Sequence, residues 1–174
     1  MIKEFYKQHK GLIVILHIVA LVFSLFLCYY HNMPKQDERI FIFMTGDKVL
    51  KKDIETSLEE IGSSYGIISV SSFTYDENDS QFSQAVLTKG IYDTDIFIIS
   101  KEVADIYLNE GLFKELHSEL YQLSSEYLID NNGIIMGIKL TEDYYLLIGQ
   151  TAKSDDLITN IVNYIYKNGS DLFE

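Results

Sequence analysis

Residues 11–30 read GLIVILHIVALVFSLFLCYY, about twenty residues in which only His17 and Ser24 are strongly polar. As an α-helix rising about 1.5 Å per residue, the stretch spans roughly 30 Å, the thickness of a bilayer's hydrocarbon core. The preceding residues, MIKEFYKQHK, set Lys3, Lys7 and Lys10 against Glu4 alone. The positive-inside rule then predicts a cytoplasmic tail over residues 1–10, a transmembrane helix over 11–30 and an extracytoplasmic remainder. A secretory signal has a shorter apolar core, about 7 to 15 residues, followed by small residues at a cleavage site. Here the run is longer and continues into Cys28, Tyr29, Tyr30, His31 and Asn32. An uncleaved anchor is expected, with the two tyrosines as its interfacial belt. Phe26 and Leu27 ahead of Cys28 do not suit a lipoprotein site, so Cys28 reads as an apolar thiol. His17 reads as a tolerated or helix-contacting polar residue rather than a proton site.

The rest of the chain has the size of one domain and buries a core without staples. Glu4 is the one acid ahead of Lys35, which leaves 25 of 26 acidic residues in that domain against 11 of 14 lysines and arginines. Such a surface excludes nucleic acid as a partner, because neutralising phosphates requires a basic face. Cys28 is the only cysteine, so no intrachain disulfide forms and the fold holds by packing.

A polar spacer over residues 31–39, with Pro34, leads into the domain, expected over 40–168 with a frayed tail at 169–174. Ile40 to Met44, IFIFM, is continuously apolar, as in a strand buried on both faces, and Thr45-Gly46-Asp47 closes it. Leu50, Ile54, Leu58 and Ile61 then recur at helical spacing. GIISVSSFTY, from Gly66, reads as a second strand. Phe82, Ala85, Val86 and Lys89 suggest a short helix ending at Gly90, and Ile96 to Ser100 a third, fully buried strand. Strand, helix and strand in succession predict a parallel sheet with right-handed crossovers. Asn131-Asn132-Gly133 marks a turn, and a strand from Tyr144 follows with antiparallel pairing. Asp155-Asp156 opens a last helix with Leu157, Ile158, Ile161, Val162 and Ile165 on one face. The class predicted is α/β, three layers built on a mostly parallel sheet of about five strands.

Residues 92–102 (YDTDIFIISKE), then 106–108 and 110–116 (EGLFKEL), resemble the extracellular solute-binding proteins of ABC importers, with their type II periplasmic-binding fold. Residues 132–140 (NGIIMGIKL) are similar to a further segment of that family, with Lys139 where a proline is usual. The resemblance covers most of residues 40–140. It implies recognition of a small solute, and an ABC transporter subunit or another envelope protein as partner. In the family the chain then crosses to a second lobe; here the residues after Leu140 are expected to finish the first lobe. The resemblance thus implies a one-lobed relative, tethered by its helix, without the two-lobed cleft.

In a parallel α/β sheet, ligands sit beyond the carboxyl ends of the strands. That singles out Thr45, Gly46 and Asp47 after the first strand, Ser71, Ser72 and Thr74 toward the end of the second, and Ser100 and Lys101 after the third. The resemblance adds Thr141 and Glu142 at the rim. The same residue types also serve as helix caps and turn formers. For catalysis the chain offers little: His117 is the only histidine of the domain, and no G-x-S-x-G supports a nucleophile. Asp93 with Asp95 is a weak metal pair, and Asp76, Glu77 and Asp79 lack the glycine and closing glutamate of a calcium loop. Neither a cofactor nor a metal is expected. Two functions remain open: extracytoplasmic recognition of a solute or envelope protein, or a structural subunit of a membrane complex.

Overall fold

The computed structural model describes residues 9–79, 82 and 93–173, and the chain divides into two compact units, Met1–Lys35 and Gln36–Glu174. The first is built on α1 (Lys10–Asn32), the one helix among the described residues long and apolar enough to cross a membrane. Its polar side chains satisfy themselves on carbonyls one turn back: His17 Nδ1 on Ile13 O and Ser24 Oγ on Ala20 O, both at 2.8 Å, and Asn32 Nδ2 on Cys28 O at 2.9 Å. Such bonding lets a polar residue sit on an otherwise apolar helix without an exposed, unmet donor.

The second unit is a six-stranded sheet between helical layers. Its strands are β1 (Arg39–Thr45), β2 (Ser69–Tyr75), β3 (Ile96–Ser100), β4 (Tyr127–Ile129), β5 (Ile135–Lys139) and β6 (Tyr144–Ile148), in the spatial order β2-β1-β3-β6-β5-β4. Among the described residues its helices are α2 (Lys52–Ser63), α3 (Lys101–Tyr107) and α4 (Asp155–Asn168). The α/β class agrees with the sequence, and the sheet corrects it in one respect. Parallel pairing is confined to β1 with β2 and β1 with β3, while the other three pairings are antiparallel. For β4 with β5 and for β5 with β6 the reason is connection length. Only short turns separate β4 from β5 and β5 from β6, and a parallel return needs a crossover of a dozen residues or more.

The two faces of the sheet carry separate cores. Ile40, Ile42, Met44, Ile98 and Leu146 point to the face covered by α2 and α4, where Leu58, Ile158 and Ile161 meet them. Phe43, Phe97, Ile99, Tyr145 and Leu147 alternate to the other face, under Val103 and Ala104 of α3 and under Leu108, Leu112 and Phe113. This is why IFIFM and IFIIS are continuously apolar: both faces of the central strands are covered. Asp155, in the first turn of α4, accepts from Lys114 Nζ at 2.9 Å and lies 3.0 Å from His117 Nε2. Lys114 first, then His117, hold the Asp155 carboxyl below the ordinary aspartate value.

One expectation changes. The tail thought frayed is ordered through Phe173, with Leu172 fully buried, Lys51 N–H donating to Leu172 O at 2.9 Å and Phe173 bridging Leu50. Leu172 and Phe173 thus meet the residues just before α2. The short helix expected over residues 82–90 lies, except for Phe82, outside the described residues.

Candidate functional site

Because β1, β2 and β3 are parallel, Thr45-Gly46, Tyr75 and Ser100-Lys101 end at one edge of the sheet. Tyr144 of β6 pairs opposite Ser100, so the turn holding Thr141 rises at the same edge. Thr45, Gly46, Ser100, Lys101 and Thr141 are thereby brought together. Ser71 and Ser72 are not. They pair with Phe41 and Ile42 in mid-strand, because β2 runs on to Tyr75, and Ser72 Oγ donates to Glu55 Oε1 of α2 at 2.7 Å.

The rim's hydroxyls are already engaged. Thr45 is fully buried and its Oγ1 accepts the Ser100 N–H at 2.9 Å. Ser100 Oγ donates to Glu77 Oε2 at 2.6 Å and accepts the Val103 N–H at 3.3 Å, capping α3. Thr141 Oγ1 accepts the Tyr144 N–H at 3.2 Å, and Lys101 pairs with Asp105 one turn along α3. On one flank the Lys48 ammonium lies 5.3 Å from the Tyr144 ring centre and 5.6 Å from that of Phe173, within cation–π range. Burial, then the nearby Asp47, Asp143 and Glu77, raise the Tyr144 phenol above its ordinary value. On the other flank the Tyr145 hydroxyl donates to Glu126, which also accepts from Lys139 Nζ at 3.0 Å. Burial and then the Glu126 carboxylate push Tyr145 up to about 12, and the same hydroxyl, then Lys139, hold Glu126 low. The sequence singles out Glu77 only as part of an acidic turn and does not point to Glu126 at all. The adjacent tyrosines diverge to opposite faces because neighbours in a strand alternate.

Gly46 is specific to this edge. Its φ is +99°, and the Tyr144 hydroxyl occupies the space a side chain would need. Gly46→Ala is expected to lose about 1–3 kcal/mol of stability in a thermal or urea melt. Gly66→Ala, with φ +83° and open space around it, should lose less because only the backbone term applies.

At the opposite edge a cleft of about 410 Å³ is lined by Gln36, Asp37, Asp93, Asp95, Thr151 and Lys153. Asp95 is only 2% exposed. Its Oδ2 accepts the Phe41 N–H at 2.9 Å and its Oδ1 the Lys153 N–H at 3.1 Å, so this carboxylate ties chain segments together. Among the described residues no group of three or more His, Cys, Asp or Glu is placed to hold a metal ion.

The fold and its edges thus define an α/β domain with an engaged, preorganised rim. No family model matches the chain, and no curated protein matches it. Among solved structures it is similar to the N-glycan transport solute binding protein (NgtS) from Streptococcus pneumoniae. The identity is 18% over 57% of this chain and 24% of that one, with a TM-score of 0.35. The same protein in complex with Man1GlcNAc gives 16% identity over 59% and 25% of the two chains, with a TM-score of 0.37. The match spans about a quarter of the length of those solute-binding structures.

Proposed function

We propose that this chain is a non-catalytic recognition domain, tethered by α1 to the cell membrane with its α/β unit outside the cytoplasm, and that it docks an envelope protein through the carboxyl edge of its sheet. The observation that carries this reading is the engagement of the rim: Thr45, Ser100 and Thr141 spend their hydroxyls on Ser100 N–H, Glu77 and Tyr144 N–H. A surface held in one shape by its own hydrogen bonds suits rigid docking of a protein, whereas a small-solute site keeps convergent polar groups free inside a concavity. The length and apolarity of α1, with Lys3, Lys7 and Lys10 ahead of it, support the tether and its orientation. The cleft at the other edge favours a second reading, a small polar solute held away from the rim. A subunit role in a transporter or sensor complex is a form of the first reading in which the docked protein is permanent.

The test is site-specific photocrosslinking in native membranes with the full chain, the probe placed at Lys101 or Glu142 on the rim and, as a control, at Asp37 or Thr151. A defined partner captured in stoichiometric amount from the rim positions alone is the expected result. Equal capture from both edges, or a melting temperature that rises only with small solutes and is insensitive to rim substitutions, overturns rim docking.

A further inference from the structure

Asp95 joins three stretches of chain at the amino edge of the sheet. Its N–H donates to Phe41 O at 3.0 Å, and its carbonyl accepts the Gly149 N–H at 2.9 Å. Its carboxylate faces three donors: the Phe41 N–H, the Lys153 N–H and, at 3.4 Å from Oδ2, the Lys153 ammonium. An ionised carboxylate accepts only, so it matches that set. A protonated carboxyl becomes a donor at one oxygen while three donors still face it. One must leave. The two N–H groups are fixed by β1 and by the backbone ahead of α4, whereas the ammonium rides on a flexible stem and makes the longest contact. Among the described residues, Asp37 and Asp93 are the other titratable groups lining the cleft, and they offer the displaced ammonium new carboxylates.

We propose that Asp95 and Lys153 form an acid-sensitive latch, in which protonation of Asp95 releases the Lys153 ammonium toward Asp37 and Asp93 and so removes one of the ties between the segment before α4 and the amino ends of β1 and β3. The cleft opens to solvent, which gives protons a route to the buried carboxyl. Burial pushes the Asp95 carboxyl above the ordinary aspartate value, outweighing the opposing pull of the Phe41 N–H and of Lys153. The sign of the linkage follows. With the folded value the higher one, the folded chain takes up this proton before the unfolded chain does. This group's contribution to stability therefore rises as pH falls through the folded value.

The experiment follows the backbone amides of Phe41, Gly149 and Lys153 by NMR in the full-length chain in detergent micelles, as pH is lowered from neutrality. The three are expected to shift together with one midpoint above the ordinary aspartate value of about 3.9. Asp95→Asn at neutral pH should show the acid-end positions and no titration. Where that variant fails to fold, Lys153→Met serves, and its midpoint should move higher because the cation that favours the carboxylate is gone. Amides that stay still over this range, that titrate identically in Asp95→Asn, or that keep their midpoint in Lys153→Met overturn the latch.

Discussion

Asp95→Ala is expected to destabilise the α/β unit by about 3–5 kcal/mol, the range seen when one partner of a buried charge pair is removed. The cost arises from what the substitution strands. Two backbone donors, the N–H groups of Phe41 and Lys153, lose their acceptor, and the Lys153 ammonium loses its nearest carboxylate. Each buried N–H left unmet costs about 1–3 kcal/mol by itself. Asp95→Asn should fall between parent and alanine, since an amide oxygen retains one acceptor while its NH₂ adds a donor facing donors. Asp93→Ala, two residues away and exposed, should lie within about 0.5 kcal/mol of the parent. Urea melts of the four full-length proteins in one detergent check the order. A loss for Asp95→Ala no larger than that for Asp93→Ala would show that the carboxylate does not hold these segments.

Phe97→Ala is expected to cost a similar amount, about 3–5 kcal/mol, by a different mechanism. Phe97 lies in the central strand β3, 2% exposed, with Phe113 packed edge-on at 5.0 Å and Phe43 tilted against it at 5.7 Å. Truncation removes the largest fully buried side chain among the described residues and leaves a cavity between a β-strand and the loop that carries Phe113, neither of which can readily collapse into it. Phe73→Ala supplies the contrast. Phe73 stacks on Phe41 at 6.0 Å but is 45% exposed on the edge strand β2, so its loss should remain below about 1 kcal/mol. A shift of the urea midpoint with an unchanged slope identifies both as stability effects rather than a change in the unfolded state.

How much of this could be read beforehand depended on range. The apolar span of α1, the strands IFIFM and IFIIS and the face of α4 all emerged from patterns within about twenty consecutive residues or fewer, and the structure has each of them. The rim was partly legible because the rule placing sites at carboxyl ends needs only the strand ends, and it located Thr45, Gly46, Ser100 and Lys101 at one edge. It misplaced Ser71 and Ser72, which lie in mid-strand, four and three residues short of the end at Tyr75. The pattern in SVSSFTY is that of a strand throughout and contains no stop before Asp76.

Residue order alone determined that one stretch is long and apolar enough to cross a membrane, that the remainder packs helices on a sheet, and that it does so without disulfides. Burial and periodicity are local properties of the chain, so they are written locally. Tertiary structure alone decided which polar groups meet. Thr45 and Ser100 are 55 residues apart, and Asp95 and Lys153 are 58 apart. Those pairings follow from strand order, since β3 lies between β1 and β6 while β4 and β5 continue outward from β6. No hydrophobic period encodes that order. It is chosen when both faces of the central strands are covered and the buried N–H groups at their ends find acceptors, and at Phe41 and Lys153 the acceptor they share is the carboxylate of Asp95.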